Sequence, residues 1–424
     1  MRLNSNVPVT ELFLLVLIAI FALAYMVWRI GRTDHWAPLV VVQIMSGILL
    51  GPGVLGAAFP EFHSGVFTPQ VIGALNGIAW WAVMLFVFVA GLELDLTEAW
   101  RAKKETAVTA ALALAVPMLL GAAAAFGLLQ VSEPALWLGI KAAPWQFIVG
   151  IGMACAVTAL PILVLFLQKL GQLRTAFGQR VMRYASLDDL MIWAVLAAIL
   201  LDWDRLWRQV GFLFFFVFAI WGVRKLIALM PERDRWPAAL VWLACIAFLA
   251  DWAGLHYMVG AFLAGAALDA RWFKTDAIDQ FRDTILLAFM PVFFLSTGLR
   301  TSWEMGGALT FVAAGLLLAA MVLGKLVGVG YAGHVLGWRK GEAWIIGWLL
   351  QTKALIMIIF ANVLFDKEII SSGAFTALLL AAIGSTMLTI PFVTPALRKL
   401  LEAGDGVDAK GPEAIQAGAR SARL

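Results

Sequence analysis

Thirteen apolar stretches follow one another from residue 10 to residue 396, each near the ~20 residues that carry an α-helix across a bilayer. They run over 10–28, 38–57, 71–92, 106–129, 145–167, 184–201, 209–229, 236–250, 254–269, 284–299, 306–333, 343–364 and 372–396. The eighth and ninth are the shortest, divided only by "DWAG" at 251–254. A soluble fold of 424 residues could not hide so much apolar surface, because 62% of the chain is hydrophobic and only 14% charged. The 38 Gly, 28 Phe and 19 Trp add the small and aromatic bias of membrane helices. The expected fold class is an all-α membrane protein with thirteen transmembrane helices.

Lys and Arg placement tests that count. The segments after runs 1, 3, 5, 7, 9 and 11, with the C-terminal tail and with Arg224 and Lys225 at the end of run 7, carry 23 of the 31 basic residues. The N-terminus and the segments after the even-numbered runs carry 6. A missing or extra helix would scramble this alternation. The positive-inside rule puts the N-terminus outside and the C-terminus in the cytoplasm, as in a bacterial inner membrane protein. The net charge of +4 then reflects topology and is no argument for nucleic acid. Arg2 is the only basic residue before the first run and no small-residue cleavage site follows, so that run is expected to stay as a helix. The tail 401–424, rich in Gly and Ala with scattered charge, reads as a disordered cytoplasmic segment. Cys155 and Cys245 both lie inside apolar runs and read as core packing residues.

Two pairs of segments echo each other. "MSGILLGPGVL" in run 2 resembles "MVGAFLAGAAL" in run 9, and "LFVFVAGLEL" in run 3 resembles "PVFFLSTGLR" in run 10. Both partners lie seven runs later, and an odd shift reverses direction through the membrane. Residues 1–400 are therefore expected to form one transporter domain. Its inverted repeats would cover 10–201 and 236–396, joined by a linker helix at 209–229.

Corresponding runs of the two halves also carry interruptions. Run 5 holds Thr158 and Pro161 in mid-span, and run 12 holds Gln351, Thr352 and Lys353. Proline removes a backbone donor and clashes with the preceding turn, so both helices are expected to break. Unwound backbone at that depth has to face protein or a water-filled cavity. Lys353 is placed to compensate the exposed carbonyl ends of such a break, or else serves there only as a structural hydrogen-bond partner.

Three more charges within the apolar runs bear on chemistry. Asp188 and Asp189, in "SLDDLMIW", start run 6 just past Arg183. Such residues are costly in hydrocarbon and normally functional; the alternative is an interfacial helix cap. Adjacent residues point about 100° apart on a helix, so one can face an aqueous path while the other faces a neighbouring helix. Lys325 lies nine residues before His334, roughly 14 Å deep at 1.5 Å per residue. Unless it snorkels to the interface, it needs a carboxylate partner, and Asp188 is the foremost candidate, leaving Asp189 to a cavity. Glu93, Asp95, Asp251 and Asp269 end or flank runs and read as solvated; His256 reads as a packed histidine. No HExxH, Walker loop or GxGD signature is present, so nothing supports an enzyme, a metal site or a cofactor.

Paired carboxylates beside a lysine suit ion exchange. Burial raises a carboxyl pKa and a neighbouring ammonium lowers it, so such a site can be poised to trade protons for a cation. With Asp189 taking the cation, aided by Thr158 and backbone carbonyls, and Lys325 released from Asp188, two protons would leave for one monovalent ion. That exchange is electrogenic, worth about 2.3 kcal/mol per net charge per 100 mV.

"IMSGILLGPGVLG" (44–56), "FVAGLELDL" (88–96), "MVGAFLAGAAL" (258–268) and "PVFFLSTGL" (291–299) together resemble the second family of monovalent cation:proton antiporters. That family includes Kef-type potassium efflux systems and Nap-type sodium/proton antiporters, and the resemblance runs from about residue 10 to 396. It implies thirteen helices, with a dimerisation domain that makes a homodimer and a six-helix core crossed by two broken helices. It also implies that Asp189 carries the ion and proton, while Asp188 pairs with Lys325. Two departures stand out. Nothing but the tail follows run 13, so no ligand-gated regulatory domain is expected. Where many members show Arg-Gly, run 12 reads "QTKAL", with Lys353 in place of the arginine. The reading is thus a secondary antiporter exchanging Na⁺ or K⁺ for protons across the bilayer. The rivals are a Kef-like potassium efflux system with channel-like behaviour, and a structural protein in which Asp189 does nothing.

Overall fold

In the computed structural model, residues 7–31, 39–93, 103–172, 175–200, 206–299 and 307–402 are described. The tail beyond Glu402 and Asp95 lie outside them. The first helices are α1 (Val9–Ile30), α2 (Leu39–Leu50), α3 (Pro60–Val66), α4 (Pro69–Leu92) and α5 (Lys103–Val131). Next come α6 (Pro144–Ala156), α7 (Leu160–Lys169), α8 (Ala176–Ile199), α9 (Leu206–Leu229) and α10 (Glu232–Trp252). The chain continues with α11 (Tyr257–Ala266), α12 (Thr275–Thr284), α13 (Met290–Gly298) and α14 (Ala308–Leu336). It ends with α15 (Glu342–Leu349), α16 (Ala354–Asp366) and α17 (Ser372–Glu402). Among the described residues the only departure from helix and turn is one isolated antiparallel bridge, Leu138 to Ile370.

Among the described residues, eight helices are long and apolar enough to cross a membrane, or nine if the bent pair α15–α16 is one span. Several expected runs are shorter or longer than a single span. Run 9 holds only the ten residues of α11. Run 10 joins a polar extension: α12, a π-helical turn at Ile285–Phe289 and α13 together cover Thr275–Gly298.

The chain divides into two compact units, each drawn from two separate stretches: residues 1–94 with 193–305, and residues 95–192 with 306–424. In the first unit, α1 turns Leu12, Val16, Ile20 and Ala24 inward at helical spacing, and the first three pack with Val71, Leu75 and Leu295. Two crossings there depend on glycine. A Cβ on Gly298 of α13 would overlap the backbone of Gly47 on α2, and one on Gly265 of α11 would overlap Phe88 on α4. Small residues let helix backbones approach closely where lipid gives no hydrophobic drive to associate. Gly298→Val is therefore expected to destabilise the protein by about 1–3 kcal/mol or more, since the obstacle is backbone and cannot rotate away. Gly73→Ala, which meets nothing within 4 Å, is the comparison. Equal detergent melting temperatures for the two variants would remove the close crossing.

The flanks of this unit correct three side-chain readings. Glu93 is not free in solvent: it caps α4 and is ion-paired with Arg282 of α12, which also holds Asp279 at 2.6 Å. Asp269 caps the turn at Ala270–Trp272 and pairs with Arg271 at 2.6 Å, and that guanidinium holds its carboxyl below the ordinary range. Cys245 is exposed on α10 instead of packed in a core, because the apolar residues of this helix follow no clear helical period that would mark which face turns inward. Asp251 is exposed, and His256 is buried, its Nδ1 accepting from the Met258 amide at the start of α11.

In the second unit α5 and α14 pack closely, Gly324 against Pro117 and Gly328 against Leu112. An apolar cluster of Leu163, Leu167, Val181, Tyr184, Ile346 and Leu349 joins α7, α8 and α15. Both interrupted runs lie in this unit.

Candidate functional site

The break in run 5 falls at Val157–Ala159, between α6 and α7. Val157 leaves the helix with φ −56° and ψ 150°, and α7 restarts with Pro161 in its first turn, where a missing N–H does no harm. The break in run 12 covers Leu350–Lys353, with a 45° bend between α15 and α16. There Thr352 turns its hydroxyl back onto the Leu349 carbonyl at 3.1 Å, the local bonding by which threonine competes with helix continuation.

Each break answers the other's backbone. The Thr158 hydroxyl lies 2.9 Å from the Leu350 carbonyl, and the Ala159 amide donates to the Thr352 carbonyl. The Lys353 ammonium donates to the Val157 carbonyl at 2.6 Å. Polar backbone freed by unwinding is thus satisfied inside the protein, as a hydrocarbon surrounding demands.

On this crossing sits a buried charge group. Asp188, on α8, is 1% exposed; its Oδ2 accepts from Lys325 Nζ of α14 at 2.8 Å and from the Thr158 hydroxyl at 2.7 Å. Lys325, fully buried, also donates to the Ala156 carbonyl at 2.7 Å. Two ammonium groups, Lys325 and Lys353, therefore hold the carbonyl end of α6. That end carries the negative pole of the helix dipole, so both charges sit where the field favours them. A buried charge costs several kcal/mol unless paired and hydrogen-bonded, and Lys325 has both kinds of partner. Lys353 has a carbonyl.

Asp188, Lys325, Thr158 and Lys353 are thus brought together. Asp189 follows Asp188 on α8, and its side chain lies outside the described residues. Sequence reasoning missed one group here, two adjacent hydroxyls on α17. Thr386 accepts from the Lys353 and Ala354 amides at 3.3 and 3.0 Å, and Ser385 donates to Gln351 at 3.1 Å. Their only signal in sequence is "GSTMLT" inside an apolar run.

Comparison with known proteins gives the chain a family. The family described as sodium/hydrogen exchanger, transmembrane, matches residues 15–399. Cation/H(+) antiporter 17 of Arabidopsis thaliana is 28% identical over 376 residues, covering 84% of this chain and 45% of that protein. The chain thus spans about half the length of such plant relatives. The Na(+)/H(+) antiporter NhaS4 of Synechocystis is 27% identical over 374 residues, 84% of this chain and 90% of that one. The solved structure of the sodium proton antiporter MjNhaP1 from Methanocaldococcus jannaschii superposes with a TM-score of 0.63 at 12% identity. It covers 92% of this chain and 99% of the other, a likeness of fold.

Proposed function

This chain belongs to the sodium/hydrogen exchanger family, and from that premise we propose that it is a secondary antiporter trading a monovalent cation, Na⁺ or K⁺, for protons. The observation that carries the reading is the buried Asp188–Lys325 pair, set on two mutually bonded helix breaks with a second carboxylate adjacent. Asp189 takes the cation and the proton in turn. Asp188 and Lys325 form the coupled pair whose separation releases a further proton, Thr158 orients Asp188, and Lys353 compensates the end of α6. Two protons against one cation make the cycle electrogenic, at about 2.3 kcal/mol per 100 mV for the net charge.

The finer architecture belongs to the same proposal: thirteen spans, two inverted repeats joined by α9, the N-terminus outside, the C-terminus in the cytoplasm of a bacterial inner membrane, and a homodimer. A seven-run shift turns the crossing of runs 2 and 10 into that of runs 9 and 3. Both crossings are made by glycine against backbone, Gly298 on Gly47 and Gly265 on Phe88, which favours the repeat. The same shift carries the break of run 5 onto that of run 12.

Proteoliposomes with a lumenal pH dye test the function. Na⁺, K⁺ and Li⁺ are added separately, and at least one is expected to drive proton movement. Silence with all three overturns the antiport reading. Potassium flux with no accompanying protons would instead assign the channel-like alternative.

A further inference from the structure

Half-helix α16 begins without a cap of its own. Helices usually start on Ser, Thr, Asp or Asn, whose side-chain oxygen accepts from the first free amides. Here the residue before Ala354 is Lys353, with φ −107°, ψ −30° and no side-chain cap. An ammonium has donors only and cannot serve those amides, and this one points instead to the Val157 carbonyl. The missing acceptor comes from another helix. Thr386 of α17 takes the Lys353 amide at 3.3 Å and the Ala354 amide at 3.0 Å on a single hydroxyl oxygen. Its neighbour Ser385 holds Gln351 at 3.1 Å, and the Gln351 amide group donates to the Met321 carbonyl of α14 at 2.8 Å. All three side chains are fully buried. Met321 lies one helical turn before Lys325 on α14, so the clip and the charge group share a helix face.

Resting on the antiport reading, we propose that Thr386 is a positioning residue for cation binding. The bare start of α16 would present the positive pole of a helix dipole at the crossing where a cation must arrive. The hydroxyl oxygen covers that pole and fixes the backbone from which Lys353 reaches α6. Losing it leaves unpaired N–H groups and an uncovered positive end, which opposes the cation more than it opposes turnover. The effect therefore falls on KM.

The test compares Thr386→Val, which keeps the shape and removes the oxygen, with Thr386→Ser, which keeps the oxygen. Cation KM and maximal rate are measured by the pH dye in proteoliposomes, using the ion that drives the unsubstituted protein. The Val variant is expected to raise KM by about three- to thirtyfold with the maximal rate little changed, the effect of a lost cap. The Ser variant should retain the original KM. An unchanged KM in Val, a Ser variant as impaired as Val, or a fall in maximal rate alone overturns the assignment. Thr386→Cys, with its weak acceptor, covers the case where Val is not recovered folded, and should show an intermediate KM. If neither Val nor Cys folds while Ser does, the hydroxyl serves folding and the inference fails. An unsubstituted protein inert to every cation overturns the antiport reading itself; an active one with indifferent Val overturns only this step.

Discussion

Lys325→Met is expected to lower thermal stability by about 3–5 kcal/mol, because it leaves Asp188 buried with a single hydroxyl for company. The same change takes one donor from the carbonyl end of α6. The loss comes mainly from stranding a charge, not from the worth of the pair. Replacing both members by apolar side chains of similar size is often neutral or stabilising. The double variant Asp188→Leu, Lys325→Met should therefore recover most of the melting temperature in detergent while recovering no exchange. A single variant that melts with the unsubstituted protein would mean that the pair does not hold the unit together. A double variant that melts below the single would mean that Asp188 has a partner beyond Lys325 and Thr158.

Asp189→Asn is expected to reduce cation-driven proton flux to that of empty liposomes without lowering the melting temperature. Asparagine keeps the size and the position on α8 but neither titrates nor offers a negative charge to a cation. Asp188 is the poorer substitute, because Lys325 and Thr158 already share its Oδ2. Retained flux in this variant would move the carrier role to another group. A collapse in melting temperature would instead make Asp189 a structural residue. The two substitutions thus separate the residues by kind of loss: Lys325 in stability and coupling, Asp189 in transport alone.

Legibility in the sequence followed the expense of burying each group. Asp188, Asp189, Lys325 and Lys353 stand out because ionisable side chains within apolar runs are rare, and Pro161 and "QTK" mark the places where the helices stop. Thr386 was invisible for the opposite reason: a lone hydroxyl is tolerated anywhere in a membrane helix, bonding its own preceding turn, as Thr389 does with Ser385 at 3.2 Å. Glu93 read as solvated because its partner, Arg282, lies 189 residues away, beyond any local pattern. Cys245 read as core because α10 shows little contrast between its faces. The extension of run 10 back to Thr275 was hidden by the polar residues of "TDAIDQFRDT", which look like a loop until they are seen as a helix entering the apolar segment through a π-helical turn.

The reciprocal bonding of the two breaks bears on how the protein is made. The contacts that close the site join residues 192 and 196 positions apart. At the ~5–20 residues per second of synthesis, the first break is in place roughly 10–40 s before its partner leaves the ribosome. During that interval the Val157 carbonyl and the Ala159 amide lack the groups that later satisfy them. Run 5 should therefore wait near water or an insertion chaperone, and the charge cluster closes only as the last two helices arrive.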